Sequence, residues 1–225
     1  AADDGVVFAL GSITNTAPGG TIHLGSTVLD LGTDNRDMTL SARIRDGGRF
    51  GSLAGEVLVG GGLRKSGTGT LTLTHADNDF TGDTTVAAGT LHLAGGALNR
   101  VVLHDTVRLT GTGLIRGDLV NSGAGAVVSP GNSPGTLTIG GDYIQTAGSM
   151  LNIEIASLTE HDRLVVGGTA FLGGTLNLGD LEASARVVEE AARVQGLLDP
   201  SSVNGDEFNL GLSYGYFFAD NVQAG

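Results

Sequence analysis

From Ser66 to Gly96 the chain reads SGTGTLTLTHADNDFTGDTTVAAGTLHLAGG, with polar and apolar residues alternating in short bursts broken by glycine. Alternation with period two is the mark of a strand that buries one face. The phrase recurs as GTIHL (Gly20 to Leu24), GTLTL (Gly69 to Leu73), GTLHL (Gly89 to Leu93), GTLTI (Gly135 to Ile139) and GTLNL (Gly174 to Leu178). The copies are separated by close to one or two periods of roughly twenty residues, the size of a solenoid repeat. The parity points Leu71, Leu73, Leu91, Leu93, Leu137, Ile139, Leu176 and Leu178 inward and Thr70 and Thr72 outward. Clusters such as HADNDFTGD, AAGT and SPGNSPG separate the strands and read as corners. Almost no helical periodicity occurs before residue 180. Short strands, tight corners and a fixed period predict an all-β parallel β-helix, each coil pairing with the coils above and below it. An antiparallel sandwich explains the alternation but not the recurring phrase.

Composition fits this reading. Hydrophobic residues make up 40% of the 225, too many for a disordered chain. Aromatics are only 4%, so the core is filled by stacked aliphatic side chains rather than by bulky rings. The net charge of −12 argues against nucleic acid and against an anionic membrane surface as partners. Cysteine is absent, which excludes disulfides and thiolate metal sites. The opening AADDGVVFAL is not of export-signal type, so export would rely on a segment removed or lying upstream.

Three stretches carry a family resemblance. KSGTGTLTLTHADNDFTGDTTVAAGTLHLAGG (Lys65 to Gly96) resembles the strand repeat of bacterial autotransporter passenger domains. GTGLIRGDLVNSGAGAVVSPGNSPGTLTIGGDYIQTAGSMLNIEI (Gly111 to Ile155) and DRLVVGGTAFLGGTLNL (Asp162 to Leu178) resemble the later and final coils of such passengers. The resemblance covers about residues 50–180. It implies a right-handed β-helix passenger over 1–180, displayed at the cell surface or outside a Gram-negative bacterium, with 129–180 as folding-nucleus coils. Asp180 to Pro200 has helical spacing: Asp180 can cap it, Glu182 with Arg186 and Glu189 with Arg193 are i,i+4 pairs, and Pro200 stops it. Residues 181–200 are therefore expected to form a short helical linker. Residues 201–225, with Phe208, Leu210, Leu212, Tyr214, Tyr216 and Phe218 on one face, are expected to form a terminal strand or hairpin. That hairpin either begins an outer-membrane barrel not included in this chain or caps the β-helix.

Candidate chemistry is sparse. GNSPG (Gly131 to Gly135) matches the G-x-S-x-G elbow, which needs a helix after Ser133; here Pro134 and a strand pattern follow. Arg116, Gly117 and Asp118 form an Arg-Gly-Asp tripeptide, the one candidate binding site, though a corner between coils explains it too. His23, His75, His92, His104 and His161 are scattered, and His92 takes the outward place of Thr72, Thr138 and Asn177 in the other copies. The runs DNRD (Asp34 to Asp37) and DND (Asp77 to Asp79) could ligate calcium, but Asx turns account for them. The expectation is no enzyme, no cofactor, no metal and no catalytic residue. The chain reads as a stalk or adhesin-like display module whose partner is a host-surface or sister-cell protein or glycan. A carbohydrate-active β-helix enzyme, or a scaffold fragment of a larger passenger with its functional head upstream, are the alternatives.

Overall fold

A computed structural model describes residues 6–13, 19–47, 59–132, 134–156, 160–179 and 222–224. Among them every regular element is a strand. The expected linker helix at 181–200 and all of the expected terminal strand except Val222–Ala224 lie outside the described residues.

The strands line three sides of a coil. On the first side β1 (Val7–Leu10), β3 (Val28–Leu31), β6 (Gly62–Lys65), β8 (Thr84–Val86), β10 (Val101–Leu103), β12 (Leu119–Asn121), β15 (Tyr143–Gln145), β18 (Ala170–Leu172) and β20 (Val222–Ala224) pair in that order. The second side is β4 (Met38–Leu40), β7 (Thr70–Leu73), β9 (Thr90–Leu98), β11 (Arg108–Ile115), β13 (Val127–Pro130), β16 (Met150–Glu154) and β19 (Thr175–Gly179). The third side holds β2 (Thr21–His23) beside β5 (Arg43–Arg45), and β14 (Thr136–Ile139) beside β17 (Arg163–Val166). β11 joins the last two sides: Arg108 to Thr110 pair with β13, and Leu114 and Ile115 pair with β14. Every pairing between the described strands is parallel, which an antiparallel sandwich cannot give. Right-handed crossovers are the rule for parallel strands of one sheet, because a right-twisted strand returns to its sheet most easily that way.

Sequence parity becomes packing directly. Leu71, Leu91, Leu109 and Val128 stack as one interior file on the second side, each fully enclosed. Leu137, Ile139, Leu164 and Val166 do the same on the third. Thr72, His92, Thr110 and Ser129 form the outward file that flanks them.

Two details differ from the sequence reading. The copies of the repeated phrase are not all equivalent. The strands at 70–73, 90–93 and 175–178 lie on the second side, whereas Thr21–His23 and Thr136–Ile139 lie on the third. Thr138 is therefore not in the file of His92; it pairs with Val165 and Leu114. The phrase encodes a half-buried strand after a glycine corner, and any side of the coil can use one. Second, Leu176 follows Leu151 in register but is 39% exposed. It is in the last strand of its sheet among the described residues, and none of them adds a further strand of that sheet over it. Leu178 is partly buried against the core.

Corners stack as tightly as sides. Gly67 and Gly89 both have a φ of 68° at the turn from the first side to the second. A Cβ on Gly67 would collide with the carbonyl oxygen of Gly32 one coil away, and one on Gly89 would press on carbonyls of the 67–69 turn. Glycine is required there both for the left-handed backbone and for the close approach.

Leu137→Asp and Leu176→Asp should therefore differ. The first buries an unpaired charge, a cost of several kcal/mol against a domain stability of about 5–15 kcal/mol, and should abolish the cooperative far-UV circular dichroism melt. The second should lower the midpoint by only a few degrees. Equal effects of the two would contradict the ladder assignment.

Candidate functional site

The Arg-Gly-Asp tripeptide turns the corner from the third side to the first, between β11 and β12. Arg116 Nη1 donates to the carbonyl of Asn78 (2.7 Å) and its backbone N–H to Leu98 (2.9 Å). Gly117 N–H donates to the carbonyl of Asn99 (3.2 Å). Asp118 is half-buried, and its Oδ1 accepts the backbone N–H of Asp142 (2.9 Å) in the next coil. Arg116 thus reaches back to earlier coils while Asp118 reaches forward.

The Asp118 contact is one of a set. Asp142 Oδ1 accepts from Thr169 N–H (2.8 Å), and Asp105 Oδ1 from Ala124 N–H (2.8 Å). Asp37 Oδ1 accepts from Thr70 N–H (2.7 Å), and Asn35 Oδ1 from Thr68 N–H (2.9 Å). Asp46 accepts from Gly60, Gly61 and Thr81, the Thr81 hydroxyl at 2.6 Å. In each case a corner carboxylate or amide satisfies a backbone donor that lies outside the strand ladders. The DNRD run is used this way, and in the DND run Asp79 pairs with Arg43 (2.9 Å) of the preceding coil. Among the described residues no three His, Asp or Glu side chains gather as a metal site.

Ser133 lies outside the described residues. The next described element after it is the strand β14, not a helix, so the strand-to-helix frame of a nucleophile elbow is missing among the described residues. Nearby, Asp162 accepts from Gly135 N–H (2.9 Å) and Glu154 N–H (3.0 Å). Burial raises its carboxyl above the ordinary value, against the pull of those two donors. His92 Nδ1 meets Thr110 Oγ1 at 2.8 Å in the outward file, and His75 Nδ1 accepts from Asp77 N–H (3.1 Å). His23 and His104 are exposed.

The polar chemistry that sequence reading missed is inside. Lys65, the chain's one lysine, is fully buried. Its Nζ donates to the carbonyls of Ser66 (2.7 Å), Gly67 (2.8 Å) and Ala88 (3.2 Å). Burial lowers its pKa from 10.5, partly offset by Asp30 and Asp37. Further along, Asn121 Nδ2 donates to Met150 O (3.1 Å) and Tyr143 Oη (3.3 Å). Tyr143 Oη donates to Gln145 Oε1 (3.0 Å), and Gln145 Nε2 to Thr175 O (3.1 Å). Ser149 Oγ closes the group by donating to Asn121 O (2.7 Å). The signal was parity: in GLRK, LVN and YIQ the polar third or last residue falls on the inward phase.

Residues 63–93 match the passenger-associated-transport-repeat family. Over 141 residues, 63% of this chain, it is 33% identical to an extracellular serine protease of Serratia marcescens, covering 13% of that protein. Over 189 residues, 80% of this chain, it is 32% identical to the adhesin BmaC autotransporter of Brucella suis, covering 5% of it. A second Serratia marcescens extracellular serine protease is 29% identical over 146 residues, again 63% of this chain and 13% of the relative. The chain thus spans a small part of each of these relatives. No solved structure matches it.

The interior group makes a testable pH claim. Burial pushes the Tyr143 phenol well above its ordinary 10.0, against the Asn121 hydrogen bond. A folded-state pKa above the unfolded one means the folded protein holds the proton longer, so stability is lost as pH rises past 10. The denaturation midpoint of the parent should fall more steeply above pH 10 than that of Tyr143→Phe. Parallel pH profiles for the two would contradict the buried, protonated phenol.

Proposed function

We propose a display role for this chain, which belongs to the autotransporter family and is part of a passenger domain at the surface or outside of a Gram-negative cell. Its own contribution is a non-enzymatic stalk that holds other material away from the cell and offers its sides for contact. The observation that carries this reading is the pair of relatives. Overlapping parts of this chain, 63% and 80% of it, align with part of an extracellular serine protease and with part of an adhesin, in 13% of one and 5% of the other. A segment common to proteins named for different activities is best read as their scaffold, since function resides in sites carried by a fold.

The geometry supports the same reading. Arg116 and Asp118 are each committed to another coil. The corner carboxylates hold backbone N–H groups, and the outward Thr72, His92, Thr110 and Ser129 form an open file poorly suited to excluding water from a reacting bond. The outward file of the first side changes from Asp30, Arg64 and Thr85 to Val102, Val120, Ile144 and Phe171. Those last four supply an apolar contact surface that favours a protein partner, on a host or a sister cell, over a glycan. A second reading, that the chain is scaffold for a proteolytic head carried elsewhere in the protein, draws on the two protease relatives.

The test pairs an activity screen with cell display. Purified chain is offered peptide, ester and polysaccharide substrates, and displayed chain is scored for adhesion. We expect no turnover, and adhesion that Ile144→Asp with Phe171→Asp reduces at least several-fold while Asp118→Ala reduces it only as far as it lowers the melting temperature. Turnover abolished by Ser133→Ala, or adhesion lost on Asp118→Ala in a chain of unchanged stability, would overturn the proposal.

A further inference from the structure

The three buried donors belong to one file. In register along the first side, the last inward position of each coil reads Leu31, Lys65, Val86, Leu103, Asn121, Gln145 and Leu172. All the polar members do the same thing. Each sits where the first side turns to the second, and each donates an N–H to a carbonyl one coil further on: Lys65 to Ala88, Asn121 to Met150, Gln145 to Thr175. Tyr143 and Ser149 tie the last two together.

We infer that Lys65, Asn121 and Gln145 form a register lock: they fix which residue of one coil stacks on which residue of the next. The need follows from the core itself. Side chains of a strand alternate, so a slip of one residue turns the apolar face outward and is rejected, but a slip of two keeps inward residues inward. In files of Leu, Val and Ile such as Leu71, Leu91, Leu109 and Val128, that slip exchanges one aliphatic for another and burial hardly distinguishes the two. A buried donor does. Displaced by two residues, the Asn121 and Gln145 amides lose the Met150 and Thr175 carbonyls of the next coil, and the Lys65 ammonium loses that of Ala88 while keeping those of Ser66 and Gly67 in its own coil; a buried donor deprived of its acceptor is strongly disfavoured. A single buried polar residue sets register in coiled coils by this logic, at some expense in stability. Lys65 serves the coils around β6 to β8, and the Asn121–Tyr143–Gln145 group serves those from β12 to β19.

The absence of cysteine makes the test clean, because any disulfide is the engineered one. Val120 lies opposite Ile144 in the native register and would lie opposite Thr146 after a slip of two. Under mild oxidation the parent background should close V120C/I144C and leave V120C/T146C open. In the Asn121→Leu/Gln145→Leu background both pairs should close, with the melting temperature of the cysteine-free double variant within a few degrees of the parent. Arg64 and Thr85 supply the same experiment for Lys65→Met: R64C/T85C is the native pair and R64C/A87C the slipped one. Closure of the native pairs alone in both backgrounds overturns the lock, since the aliphatic files would then suffice. A large fall in melting temperature without slipped closure, or failure of both leucine and methionine variants to fold, also overturns it and assigns these residues to stability alone.

Discussion

The structure depends on one constraint: each strand finds its backbone partners only in the coils directly above and below it. A parallel ladder has no hairpin to close it locally, so every pairing waits on a full circuit of the coil. The circuit lengths vary, as the first side shows in stepping from Val28 to Gly62 but then from Thr84 to Val101 and Leu119. What stays constant is the place where each side begins. At the corner before β6, Asp46 holds the backbone N–H groups of Gly60, Gly61 and Thr81 and so ties the start of the side to the coil before it.

That constraint explains why the polar residues lie where they do. Corners interrupt the ladder and expose backbone N–H groups, and Asp and Asn side chains from the neighbouring coil meet them. The interior is chiefly aliphatic, and where a corner turns inward upon carbonyls Lys65, Asn121 and Gln145 donate to them. Residues that look like chemistry in the sequence, among them Asp118 and Asp79, are thus engaged in holding coils together. A surface passenger needs a rod that is regular in its backbone and free to vary on its outer faces, and this division of labour provides one.

The fold was legible because alternation and glycine corners translate into geometry without tertiary information. Leu71, Leu91 and Leu137 are buried as their parity required. Assignment of a strand to a side was not legible, since GTLTI at 135–139 and GTLTL at 69–73 differ only in where the circuit stands when they occur. Leu176 shows a second limit: parity gives direction, whereas burial also needs a coil on top. The interior donors were overlooked because Lys, Asn and Gln are ordinarily surface residues; strict application of parity to GLRK, LVN and YIQ places them inside. No residue pattern in the sequence named a partner, and the relatives, which match overlapping parts of this chain and are named for different activities, explain why.

The stacked-coil account is tested most directly by distances along one outward file. Spin labels on cysteines placed at Thr39 with Thr110, and at Thr39 with Ser129, span three and four coil steps of the second side. At about 4.8 Å per step, the account predicts backbone separations of roughly 14 Å and 19 Å, lengthened alike by the label arms. A second distance equal to or shorter than the first, as an antiparallel sheet that folds back on itself would give, would contradict it.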